Sequence, residues 1–113
     1  MFEIRNYHFE PTHFEAYKQW AATLALPYLR GKMEVIGFWV TTDLAPEYGG
    51  SLPHDAQGSP ANVTWIIRWP DKAQRDRARE ALRSDPAWQA ILAQVPGGRA
   101  SYLRTEAKFA TAL

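Results

Sequence analysis

The sequence predicts a single α+β domain made of two successive strand, helix, strand units, and three observations carry that prediction. Residues 62–69, Asn-Val-Thr-Trp-Ile-Ile-Arg-Trp, are a β-branched and aromatic run with large apolar groups at both parities, as in a central strand buried on two sides. Phe2 to Phe9 alternates at strand period. Helical periodicity then fills the intervals after each of these two stretches, with a further strand pattern closing each unit.

In the first strand Phe2 and Ile4 share one face, and Glu3, Arg5, Tyr7 and Phe9 the other. Glu10-Pro11 ends it, and Thr12 with Glu15 forms a capping-box pattern that starts a helix over about 12–30. Phe14, Tyr17, Ala21, Leu24 and Tyr28 are its apolar stripe; Pro27 should kink the last turn, and Arg30-Gly31 supplies the C-terminal signals. The second strand is expected at 33–42, with Ile36, Phe38 and Val40 opposite Val35, Gly37, Trp39 and Thr41. Residues 43–61, rich in Gly, Pro and Ser, form a long loop before the central strand. Asp71 with Gln74 starts the next helix, running to Arg83 with Ala73, Ala78, Ala81 and Leu82 on a narrow apolar face. Its charged face reads as solvated, with Glu80 paired to Arg83 and Asp71 to Arg75. Asp85-Pro86 caps a last helix whose stripe is Trp88, Ile91, Leu92 and Val95. Pro96-Gly97-Gly98 turns into a strand over about 99–109, with Tyr102, Arg104 and Glu106 on one face, and 110–113 is a loose tail.

This order is the split βαβ pattern of a ferredoxin-like fold over residues 1–109: a four-stranded antiparallel sheet with the first and third strands central and the helices on one face. If Phe2, Ile4, Ile36, Phe38, Ile66 and Leu103 meet the helices, the opposite face carries Glu3, Arg5, Tyr7, Val35, Trp39, Trp65, Ile67, Trp69, Tyr102 and Arg104. Such an aromatic face needs cover, and a second copy of the sheet packed about a two-fold axis supplies it. A homodimer, closed into an α/β barrel, is therefore expected.

Composition narrows the function. Thirteen Lys and Arg against twelve Asp and Glu leave a net charge of +1, too small a field to attract nucleic acid or an anionic membrane. The chain has no cysteine, which excludes disulfides, thiolate metal sites and cysteine nucleophiles, and suits the cytoplasm. It carries no long apolar run and no leader pattern, so a soluble, unprocessed protein is expected.

Several short segments also fit one family. The opening Phe2-Glu3-Ile4-Arg5-Asn6-Tyr7 reads aromatic-Glu-aliphatic-Arg-x-Tyr, Gly37-Phe38-Trp39 sits in the second strand, Leu26-Pro27-Tyr28-Leu29 places a proline within the first helix, and Asp85-Pro86-Ala87-Trp88-Gln89 opens the last. In this order and spacing the chain resembles the NIPSNAP family of the dimeric α/β-barrel group. Where many members carry His-Leu-Trp-x-Tyr in the third strand, this chain has Trp65-Ile66-Ile67-Arg68-Trp69, so chemistry relying on that histidine is not expected. The 43–61 loop also looks longer than the family's usual connection. Related barrels include cofactor-free monooxygenases and haem enzymes, so the resemblance implies a fold and not a reaction.

The chemistry-bearing candidates lie on the strands. Glu3, Arg5 and Tyr7 share a face with Trp39, Trp65, Trp69 and Arg104 near them, a combination of aromatic wall and converging polar groups that suits a small-molecule site. There Arg5, helped by Arg104, would hold a carboxylate or enolate, Tyr7 would donate a hydrogen bond or proton, and Glu3 would act as base if burial raised its pKa. The same residues also fit a structural reading: Glu3 and Arg5 as cross-strand partners of Arg104 and Glu106, and the indoles as packing. His8, His13 and His54 lack ligand spacing, so neither metal nor any other cofactor is expected; His54, beside Asp55, would sit on a lid. Two functions follow. One is a barrel that binds a small apolar or aromatic acid and could act on it without a cofactor. The other is a non-catalytic homodimer, filled by its own tryptophans, that serves as a protein-interaction module.

Overall fold

Every second residue of β1 (Phe2–Phe9) is buried, and those residues are Glu3, Arg5, Tyr7 and Phe9. β1 is central because it pairs on both edges: antiparallel with β3 (Val63–Arg68), Arg5 opposite Trp65, and antiparallel with β4 (Tyr102–Ala110), Arg5 opposite Ala107. β2 (Glu34–Val40) lies on the far side of β3, giving the sheet order β2-β3-β1-β4 with β1 and β3 in the middle, as the split βαβ pattern requires. This computed structural model describes residues 1–53 and 58–113. None of the helices among them is long and apolar enough to cross a membrane.

The helices cover the face opposite to the one expected. Glu3, Arg5, Tyr7, Phe9, Val63, Trp65 and Ile67 are buried under them, whereas Phe2, Ile4 and Ile66 are only half-buried on the open face. The charged residues on the inward side are the reason the assignment failed, because their charges are satisfied by one another and by a helix, and so can be buried. Two bulges add to the change. Register slips between Val35 and Gly37 put Phe38 beside Trp65 on the helix side and turn Trp39 away. A second slip leaves Tyr102 opposite Phe9 but Arg104 opposite His8, so Tyr102 faces inward and Arg104 and Glu106 face outward.

The first helical segment also differs from its expected phase. Glu10, not Thr12, caps the entry, accepting from the Thr12 amide ahead of a short 3-10 turn. α1 (Phe14–Trp20) then runs through a π-turn at Ala21–Ala25 into α2 (Leu26–Arg30), the Leu26 amide reaching back five residues to the Ala21 carbonyl. Pro27 lies just beyond and lacks an amide donor, and the wider turn sits beside that break in the hydrogen-bond ladder. The buried stripe becomes Tyr17, Ala21, Ala25 and Leu29, each four residues on, while Leu24 is left exposed. α3 (Lys72–Arg83) and α4 (Pro86–Leu92) begin where expected, with the Asp71 carboxylate accepting from Gln74 N at 2.8 Å and Asp85 from Ala87 N at 3.0 Å.

Candidate functional site

Between the helices and the inner face of the sheet lies a cavity of about 490 Å³. The small side chains of Ala21 and Ala25, brought round by the π-turn, help to form it where larger groups would close it. The sheet contributes Arg5, Tyr7, Phe38 and Trp65; the first helical segment adds Tyr17, Trp20 and Leu29; α3 and α4 add Arg79, Leu82 and Trp88. Trp20 is fixed by its indole N–H, which donates to the Ile91 carbonyl at 3.0 Å. The wall is thus aromatic and aliphatic, interrupted by the cations Arg5, Arg79, Arg83 and Arg99, with no carboxylate among the described residues that line it.

Beneath the cavity floor the Glu3 carboxylate is fully enclosed and occupied on both oxygens. Oε2 accepts from Arg5 Nη1 at 2.8 Å and Arg75 Nη2 at 2.6 Å, and Oε1 from Arg75 Nε at 3.1 Å and Trp69 Nε1 at 2.9 Å. Burial alone would raise its pKa, but the hydrogen bonds from Arg75, Arg5 and Trp69, with the charge of Arg5, outweigh that and hold the carboxyl at about 2. Such a group is a weak base, and it does not line the cavity. The condition under which Glu3 would serve as catalytic base, a raised pKa, is therefore not met.

Tyr7 stands one step further in. Its hydroxyl oxygen accepts from Arg5 Nε at 2.8 Å and from Trp65 Nε1 at 3.0 Å, which uses both lone pairs and leaves its proton with no acceptor among the described residues. Tyr17 and Tyr102, also on the wall, meet edge to face with their ring centroids 6.2 Å apart. Burial pushes both phenols up, so they stay neutral. Arg79 makes no hydrogen bond or ion pair with any described residue; burial first, and then the neighbouring charge of Arg5, lower its pKa while leaving it a cation.

Of the predicted site residues the structure brings together Glu3, Arg5, Tyr7, Trp65 and Trp69. Trp39 lies on the other face, half exposed, with its ring over Gly37. Arg104 is on that face too, its guanidinium 3.4 Å from Glu106, so neither joins the cavity and neither Arg104 nor Glu106 pairs with Glu3 or Arg5. His54 lies outside the described residues. Sequence reasoning missed Arg75 and Arg79, which it placed on a solvated helix face. The signal was present: Arg75, Arg79 and Leu82 fall at i, i+4 and i+7, one helical face ending on a buried leucine.

No match was found among the curated proteins. Among solved structures, the chain is similar to an uncharacterised NIPSNAP domain protein from Burkholderia xenovorans, with 20% identity, a TM-score of 0.74, and coverage of 99% of this chain and 93% of that one. It is also similar to a NIPSNAP family protein of unknown function from Agrobacterium tumefaciens, with 19% identity, a TM-score of 0.71, and coverage of 95% and 82%. At such identities these neighbours establish the fold. Membership rests on the sequence model of NIPSNAP, which matches residues 2–101, and on that ground the chain belongs to the NIPSNAP family.

Proposed function

We propose that the cavity binds a small apolar or aromatic acid. The observation that carries this reading is the wall itself: about 490 Å³ of space lined by indoles, phenols, aliphatic groups and four arginines, with no carboxylate among the described residues that line it. The volume falls in the range of small-molecule sites, and the charge imbalance favours an anion. Arg5 and Tyr7 are its polar floor, and Tyr7, with its proton unspent, is able to donate to the ligand. Trp65 walls the cavity, while Trp69 acts indirectly by holding Glu3, which in turn fixes Arg5. The competing reading, a filled domain that serves only as an interaction module, requires an interior packed by its own tryptophans, and an open cavity weighs against it.

A second copy of the chain is the proposed cover for the open face of the sheet. Trp39 is 51% exposed there, beside half-buried Phe2, Ile4 and Ile66, an apolar patch suited to a partner surface. Sedimentation at micromolar concentration checks this: a dimer is expected, and a monomer would remove the pairing.

A thermal-shift screen against aromatic and aliphatic acids, each beside its neutral amide, tests the cavity reading. Acids should raise the unfolding temperature, the stabilisation growing with the logarithm of their excess over the dissociation constant, and the amides should not. Equal silence from both classes would end this reading and favour the interaction module.

A further inference from the structure

Among the polar groups with unspent capacity that line the cavity, two differ in kind, a cation and a neutral hydroxyl. Arg5 faces the cavity, but its charge is already met by Glu3, and its Nε is committed to Tyr7. Arg83 is engaged by Glu80 at 2.8 Å, and Arg99 donates to Gln89 at 3.1 Å. Arg79 alone among these four has no partner among the described residues, although it is half-buried and lines the same space. A guanidinium taken partly out of water with nothing to bond is costly, and a bound carboxylate would satisfy it in two-pronged fashion. The Tyr7 proton is a neutral donor held in place by two bonds into its own oxygen, so it suits an uncharged or enolic oxygen elsewhere on the ligand.

Resting on the reading of the cavity as an acid-binding site, we propose that Arg79 seats the ligand's carboxylate and the Tyr7 hydroxyl donates to a second oxygen, so that the site selects an oxo-substituted apolar acid over a simple one. Two donors that converge on one cavity reject ligands lacking the matching acceptors, because the unmet group must then lose its water without replacement. The nearby charge of Arg5, which already disfavours the Arg79 cation, adds to the gain on binding an anion.

The experiment is calorimetric titration with 4-phenylbutanoate, its 2-oxo and 4-oxo derivatives, and 4-phenylbutanamide, using the wild type, Arg79→Gln, Tyr7→Phe and Arg77→Gln. In the wild type the acids should bind at least about tenfold more tightly than the amide, and one oxo acid severalfold more tightly than the parent. Arg79→Gln should abolish the preference for acid over amide, Tyr7→Phe the preference for the oxo group alone, and Arg77→Gln, exposed on α3 outside the cavity, neither. If the acid preference survives in Arg79→Gln, the anion sits elsewhere and the inference fails while acid binding stands. If neither oxo acid is preferred by the wild type, the role of Tyr7 is overturned whether or not Tyr7→Phe folds. Binding of none of the acids would remove both the inference and the reading beneath it.

Discussion

The Arg75 guanidinium and the Glu3 carboxylate meet in two parallel hydrogen bonds, Nε to Oε1 at 3.1 Å and Nη2 to Oε2 at 2.6 Å. This fork ties the first turns of α3 to the start of the central strand and lets a glutamate sit with no solvent exposure. Because Glu3 also receives Arg5, and Arg5 in turn holds Tyr7, the orientation of the cavity floor depends on a contact made outside the cavity.

Removing Arg75 should therefore unfold more than a surface contact would. Arg75→Gln leaves a buried carboxylate short of a partner, and urea denaturation should show a loss of about 3–5 kcal/mol. Arg75→Lys should recover only part of it, since an ammonium cannot reproduce the fork. A loss below about 1 kcal/mol would mean that the pair behaves like an exposed one.

The same cluster sets an acid limit on stability. Glu3 is held at about 2 in the folded protein, below its value in the unfolded chain, so its contribution is fully present above the unfolded value and is lost as pH falls toward about 2. Unfolding free energy should decline by about 3 kcal/mol from this group between roughly pH 5 and pH 2. In Glu3→Gln, weaker at neutral pH, that part of the slope should vanish. A slope unchanged in Glu3→Gln would assign the acid transition to other carboxylates.

Gly37 offers a test of the open face. A Cβ there would stand 2.3 Å from the Trp39 ring, so Gly37→Ala must push the exposed indole aside. Since Trp39 can swing into solvent, the folded chain should change by no more than about 1 kcal/mol. The proposed dimer should weaken in sedimentation, however, because the displaced ring lies on the face assigned to the second copy. Unchanged association would place the contact elsewhere.

The order and type of the elements were legible because each has a local cause: alternation in β1, the β-branched run of β3, and Asp71 and Asp85 as caps that bond as their spacing implies. The choice of sheet face was not legible. Alternation tells which residues share a side, but Phe2 and Ile4 looked more suited to burial than Glu3 and Arg5, and the partner that makes Glu3 buriable is Arg75, 72 residues along. Parity was also broken by the bulges near Gly37 and Phe9, each a one-residue slip with no marker strong enough to predict it. In the candidate site, the triplet Glu3, Arg5 and Tyr7 and the indole of Trp65 were readable from the strands. Arg79 was hidden in a charge run whose meaning depends on which helix face turns inward.

The most direct test of the cavity as a ligand site is a tryptophan-fluorescence titration of the wild type and Ala25→Phe with 4-phenylbutanoate. Ala25 lines the cavity from the π-turn, and a phenyl ring at that position would fill space the ligand needs while adding apolar contacts. The expected result is a saturable change in the wild type, where Trp20, Trp65 and Trp88 surround the bound acid, and its loss in a folded Ala25→Phe. No saturable change in the wild type, or an equal one in the filled variant, would contradict a binding site between the helices and the sheet.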